Sequence, residues 1–376
     1  MFTTVAHDPV DARHRGSINV PLYQTSLFAF DSYEEFDRAM AIPVNHHVYS
    51  RGNNPTVQYL ERKLAELEAG EAAKCFASGM AAITSAILSV IRGGDHVICT
   101  HQVYGPTREF LGDYLQRFGI ETTFVDGSVL AEWEAAVRPN TKLLYLESPT
   151  SGLFELQDLP KLAALARGIG AVTICDNSWA TPCYQQPLRL GVDLVVHSIS
   201  KFIAGHSDCI GGAAIGSQAL IDRISQHEYM LFGGIMTPQT AALVARGLRT
   251  LPLRMQRHAE SGLIVAGHLE RQAYVRKVNH PGLASHPQHE LAMRQMTGVS
   301  SLFSFETAEQ ADKVKAWAER LRYFKIGVSW GGFESLVTVR ALTDGSGRDN
   351  GSLVRLYVGM EDPEDLIRDI DAAWGP

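Results

Sequence analysis

Two short apolar runs, each closed by a polar residue, most restrict how this chain can fold. Leu194-Val195-Val196 leads into His197-Ser198-Ile199-Ser200-Lys201, and Ala171 to Cys175 leads into Asp176-Asn177. Runs this short and this apolar read as strands buried on both faces. Similar runs recur at His96 to Thr100, Thr122 to Val125 and Leu143 to Leu146, with amphipathic stretches such as Leu159 to Arg167 between them. Alternating strands and helices predict the α/β class, a mostly parallel sheet flanked by helices. Open sheets of this kind bind ligands beyond the carboxyl ends of their strands. The two runs would deliver an amine, Lys201, and a carboxylate, Asp176, to that edge.

An amine that can form a Schiff base and an acid that can pair with a pyridinium nitrogen are a protein's minimum contribution to pyridoxal 5'-phosphate chemistry. The same cofactor needs a phosphate site, and candidates are present. Ser198 and Ser200 flank the end of one strand. Upstream, Cys75-Phe76-Ala77-Ser78-Gly79-Met80 passes from an apolar segment into an alanine-rich helix that Gly93-Gly94 ends. The backbone amides of Gly79 and Met80 would lie at that helix's N-terminus, a place suited to an anion.

Composition removes other classes. The net charge is -7 with no basic run, which argues against nucleic acid. No stretch of 18 apolar residues appears, so no membrane span is expected. The N-terminal residues lack a leader pattern, which gives a cytoplasmic expectation. The five cysteines (Cys75, Cys99, Cys175, Cys183, Cys209) are scattered and read as small, mostly buried residues. The 14 histidines show no ligand spacing, so no metal is expected.

Three segments resemble a known signature: Asp176-Asn177-Ser178-Trp179, His197 to Lys201, and Gly205-His206-Ser207-Asp208. They are similar to those of the pyridoxal-phosphate enzymes of cysteine and methionine metabolism, the transsulfuration enzymes, and the likeness runs from about Gly16 to about Ala373. The resemblance implies a fold-type I enzyme whose mostly parallel sheet is followed by a smaller C-terminal α/β domain. It also implies an arm over 1–48 that contacts a neighbouring subunit, a cofactor-binding domain over 49–245 and a C-terminal domain over 246–376. Tyr104, in Tyr104-Gly105-Pro106, matches a tyrosine that stacks on the pyridine ring and takes part in proton transfer. Tyr49 and Arg51 match a Tyr-x-Arg motif offered to the adjacent subunit's site, where the guanidinium grips the phosphate. Thr56 reads as the N-cap of the helix that follows. Arg355 matches the arginine that binds the substrate α-carboxylate, with Ser329 and Trp330 in the substrate loop beside it. Many members carry asparagine where this chain has Ser151.

The resemblance implies a homotetramer built from dimers with shared sites, acting on an amino acid. Trp330, Trp179 and Pro106 resemble cystathionine β-lyases, whereas Tyr49-Ser50-Arg51-Gly52-Asn53 looks like members acting at Cγ, and Val328 matches neither pattern. The expectation is β-elimination by a carbon–sulfur lyase, with γ-elimination or γ-replacement as the alternative. A non-catalytic cofactor-binding protein is a third reading. Two further expectations concern the second half. Arg254 and Arg257-His258 should lie on the polar face of a long helix, and Asp344 to Gly351 should form a polar loop.

Overall fold

The computed structural model describes residues 1–8, 14–42, 46–343 and 349–375, and within them the chain forms two sheets. The first has seven strands: β1 (Ala72–Phe76), β2 (His96–Thr100), β3 (Glu121–Val125), β4 (Thr141–Glu147), β5 (Val172–Asp176), β6 (Leu194–Ser198) and β7 (Gly212–Gly216). Their order across the sheet is β1-β7-β6-β5-β4-β2-β3. Neighbours from β6 through β3 pair in parallel, and β7 runs antiparallel to both β1 and β6.

Helices cover both faces, which is why the strands read as unbroken apolar runs. Val97, Cys99, Leu143 and Tyr145 pack with Ile83 and Ile87 of the helix Gly79–Val90. Ile98, Leu144 and Leu146 point the other way, onto Leu159, Leu162 and Ala166 of the helix Leu159–Ile169. Successive residues of one strand thus feed two separate cores, as a period of two requires.

The second sheet comprises β8 (Val275–Asn279), β9 (Leu302–Thr307), β10 (Lys325–Ile326), β11 (Leu336–Thr343) and β12 (Asp349–Tyr357), in the order β10-β11-β12-β9-β8. Phe303, Phe305, Val354 and Leu356 pack against Trp317, Leu366 and Ile370 from two helices. The architecture is the expected α/β one, with a smaller sheet in the C-terminal part. No helix among the described residues is long and apolar enough to cross a membrane. Residues 344–348 of the expected polar loop lie outside the described residues.

Two local expectations are corrected. The cap of the helix Pro55–Glu68 is Asn54, whose side chain accepts from Thr56 N, with Pro55 at the first helical position. Thr56 instead pins the N-terminal segment: its hydroxyl donates to Pro21 O at 2.8 Å and accepts from Tyr23 N at 2.9 Å. Arg254 and His258 do not lie on a polar face of the helix Leu251–Leu269, for both are buried. The Arg254 guanidinium donates to Phe202 O at 2.6 Å and to Gly247 O at 2.9 Å. His258 packs against the rings of Phe202 and Tyr357. A buried guanidinium is tolerated here because backbone carbonyls accept its N–H groups.

Candidate active site

Lys201 stands in a tight turn just beyond β6. Its N–H donates to Ser198 O, Ala204 N to Ile199 O, and Gly205 N to Lys201 O. Gly205 closes the turn at φ +74°, where a side chain would overlap Arg254. Ile199, Phe202 and Ile203 anchor the turn in the core. The lysine side chain is left on the open side. Its Nζ donates to Ser329 Oγ at 2.8 Å and lies 5.5 Å from the centre of the Trp330 ring. Burial lowers the pKa of this amine, the nearby Arg355 lowers it further, and Asp176 opposes both. Gly331 makes the approach possible, since a Cβ there would fall 2.5 Å from the Lys201 carbonyl carbon.

Asp176 ends β5, opposite Val196 in register. Its Oδ1 accepts from Ser178 N at 2.9 Å and Ser178 Oγ at 2.6 Å. The same Ser178 hydroxyl accepts from Ser198 N at 2.7 Å, so one side chain fastens two strand ends together. Burial raises the Asp176 pKa, while the Ser178 bonds and the charges of His197 and Lys201 pull it down. Behind it, His197 Nε2 and Asn177 Nδ2 both contact Glu68 Oε1, at 2.5 Å and 2.7 Å.

Ser78 caps the helix Gly79–Val90 by accepting from Ala81 N at 3.0 Å. The amides of Gly79 and Met80, in the first turn, have no acceptor within the helix. A Cβ at Gly79 would fall 2.9 Å from Ser198 Oγ, so glycine is what lets this helix end reach Ser198. Ser200 is held at the other side of the turn, donating to Gly211 O at 3.2 Å and accepting from Gly211 N at 3.0 Å. Amides, a hydroxyl, an amine and a carboxylate thus converge at the ends of β5 and β6. That donor set fits a flat, anionic aldehyde cofactor carrying a ring nitrogen and a phosphate.

The open side of Lys201 is lined by residues from both sheets. Arg355 on β12 donates from Nη2 to Val328 O at 2.6 Å, and none of the described ion pairs gives it a carboxylate. Burial lowers its pKa and Arg340 adds to the effect. Tyr104 is 43% exposed, and burial, then Asp176 and Glu147, raise its pKa, which keeps the phenol protonated. Trp330 leans on Phe202 with ring centres 5.3 Å apart. Trp179 lies in the core, its Nε1 donating to Leu302 O at 2.9 Å. Cys75, Cys99 and Cys175 are buried, and burial pushes their thiols well up.

Tyr49 and Arg51 are not drawn into this cluster. Both are exposed, the Arg51 guanidinium lies 5.3 Å from the Tyr49 ring centre, and no described hydrogen bond joins either to Lys201, Asp176, Ser198 or Ser200. Sequence reasoning missed Glu147. It ends β4 beside Asp176, accepts from Tyr104 N at 2.8 Å and Ser151 Oγ at 2.5 Å, and is almost fully buried. The signal was present, since Glu147 closes the apolar run Leu143 to Leu146 just as Asp176 closes its own. Glu334 was also passed over: both its oxygens accept from Ser207 Oγ, which fastens the substrate loop to the lysine loop.

The model of the Cys/Met metabolism PLP-dependent enzyme family matches residues 3–374. An L-methionine γ-lyase of Pseudomonas putida is 40% identical over 378 residues, spanning 98% of this chain and 94% of that protein. A cystathionine β-lyase of Lactococcus lactis subsp. cremoris is 38% identical over 383 residues, spanning 99% and 98%. The crystal structure of metB from Corynebacterium glutamicum superposes with a TM-score of 0.92 at 33% identity, covering 100% of this chain and 97% of that one.

Proposed function

The chain belongs to the family of pyridoxal-phosphate-dependent enzymes of cysteine and methionine metabolism, and from that membership we propose a carbon–sulfur lyase that eliminates at Cβ of L-cystathionine or a related cysteine S-conjugate, giving a thiol, pyruvate and ammonia. When bound, pyridoxal phosphate supplies an electron sink for the pair released at Cα. The remaining work falls to side chains. Lys201 would hold the cofactor, and Asp176, fixed by two bonds from Ser178, would pair with its ring nitrogen. Ser198, Ser200 and the amides of Gly79 and Met80 take the phosphate. Tyr104 would offer its ring as a stacking surface for the cofactor. Arg355 and Ser329 would hold the substrate carboxylate, and Trp330, packed on Phe202, stands beside the Lys201 amine.

The Lys201 Nζ, when free, would remove the Cα proton as general base, a role its lowered pKa suits. Lys201 or the Tyr104 phenol then protonates the leaving sulfur. The observation that favours Cβ is the proton-transfer equipment beside Lys201. The substrate loop offers Ser329, apolar Val328 and a Glu334 already engaged by Ser207. Elimination at Cβ removes one carbon-bound proton, and one base suffices. Elimination at Cγ removes a second, from Cβ. The relatives' names favour a second reading, γ-elimination or γ-replacement, as does the Tyr49 to Asn53 pattern.

In this reading Tyr49 and Arg51 complete a neighbouring subunit's site, the arm over 1–48 reaches that neighbour, and the assembly is a tetramer of paired dimers. Product analysis after incubation with L-cystathionine tests the assignment. Homocysteine plus pyruvate is expected; cysteine plus 2-oxobutyrate would move the reaction to Cγ.

A further inference from the structure

We infer that Glu147 is the positioning residue that ties together the two loops flanking the cofactor, holding Tyr104 with one carboxyl oxygen and Ser151 with the other. The tether is short and direct. Glu147 Oε2 accepts from Tyr104 N at 2.8 Å, and Oε1 lies 2.5 Å from Ser151 Oγ. Tyr104 is the residue before the helix Gly105–Glu109, and no side chain caps that helix. Its place therefore depends on what holds its own backbone. Ser151 sits in the loop that leaves β4 and joins no other described side-chain hydrogen bond. None of the described ion pairs involves Glu147. The two loops are its side-chain partners.

The electrostatics say in which form Glu147 works. Its register partner is Asp176, and two carboxyls on adjacent strand ends do not both ionise cheaply. Asp176 has two donors from Ser178 and the charges of His197 and Lys201. Glu147 has no such cation, and burial with the Asp176 charge pushes its pKa up to about 8. Although bonds from Tyr104 and Ser151 pull the other way, Glu147 is the carboxyl pushed toward its neutral form. The Ser151 hydroxyl donates to Oε1; when Oε1 carries the proton, Oε2 still accepts from Tyr104 N–H and the Ser151 hydroxyl turns from donor to acceptor. Glutamine can copy both bonds, with its amide oxygen and its amide NH2. Aspartate, one methylene shorter, cannot span both loops.

The test is a series of Glu147→Gln, Glu147→Asp and Glu147→Ala, with Ser151→Ala to cut one tether while sparing β4. Each is saturated with pyridoxal phosphate. The readouts are the induced circular dichroism of the bound cofactor in resting enzyme, and kcat per cofactor-loaded molecule on whichever amino acid the wild type turns over. The first readout needs no substrate, so it stands whether elimination is at Cβ or Cγ. Glu147→Gln should keep the dichroism and stay within roughly threefold of wild-type kcat. Glu147→Asp and Glu147→Ala should change the dichroism and lose about tenfold or more in kcat, with Ser151→Ala between. If Glu147→Ala does not fold, Glu147→Asp against Glu147→Gln decides. Unchanged dichroism and kcat in the aspartate variant would overturn the inference, as would a glutamine variant as impaired as the aspartate one.

Discussion

The turn around Lys201 and the loop around Arg51 both match the same cofactor signature, yet they fold in opposite ways. Ile199, Phe202 and Ile203 sink the lysine turn into the core, Gly205 closes it, and Arg254 holds its carbonyls from below. The Arg51 loop lies open. Tyr49 is 49% exposed, and the segment before it turns Ile18 (87% exposed), Leu22 and Leu27 to solvent. The lysine turn is held by its own chain's core, and the Arg51 loop is left on the surface. A motif identifies which residues serve a reaction. It does not say whether they serve the site of the chain that carries them.

The sharpest way to break this comparison is to remove the finished half. Lys201→Ala should abolish turnover and the visible band of the lysine-linked cofactor, with fold and melting behaviour retained. Retained activity would sink the assignment. Arg51→Ala should also fail, but for a reason that mixing can expose. If the arginine serves a neighbour's site, subunits carrying Arg51→Ala and Lys201→Ala should form hybrids with one intact site per dimer, recovering about a quarter of wild-type sites at random assortment. No recovery after verified subunit exchange would mean that Arg51 serves its own chain.

Next in size is the closure of the lysine turn. Gly205→Ala places a side chain at positive φ and into the Arg254 guanidinium, so it should destabilise the protein by about 1–3 kcal/mol and lower cofactor occupancy. Chemical denaturation monitored by tryptophan fluorescence reads the first effect and absorbance titration with pyridoxal phosphate the second. A silent substitution would show that Arg254 can withdraw freely, and that the turn is less fixed than its hydrogen bonds imply.

Much of this was legible because the chain punctuates itself. A strand buried on both faces must be apolar throughout, so the polar residue that ends it is conspicuous, as at Lys201 and Asp176. Caps were harder. Asn54, Pro55 and Thr56 are each acceptable at a helix start, and only the bonds from Thr56 to Pro21 and Tyr23 reveal that the threonine has other work. Arg254 misled for a similar reason. An arginine at helical spacing reads as solvent-facing, and its partners here are backbone carbonyls from segments about 7 to 52 positions away in the chain, which no side-chain pattern announces. Glu147 ends a strand run as plainly as Asp176 does, but the Ser148-Pro149-Thr150 that follows it carries the stronger signal of a loop.

The smallest effect expected is a slope, and it tests whether the lysine half is closed electrostatically as well as sterically. Glu147 keeps its proton in the folded protein up to about pH 8, against an ordinary value of 4.5. Between those two values the unfolded chain releases a proton that the folded chain retains, so rising pH favours unfolding. This group's contribution is therefore complete below about pH 4.5, falls through the window and levels off above about 8. Glu147→Gln has nothing to titrate there. The melting temperature of the variant relative to wild type, both cofactor-loaded, should rise from pH 5 to pH 8 by on the order of a few °C. Glutamine stands in for the neutral carboxyl, so Asp176 ionises beside a neutral neighbour in both proteins and the difference reads the second ionisation of the pair. A flat difference would mean that Glu147 ionises beside Asp176 at neutral pH. The site would then hold two adjacent anions at the strand ends, with His197 and Lys201 acting on Asp176 to balance them, and the contrast with the open Arg51 loop would rest on packing alone.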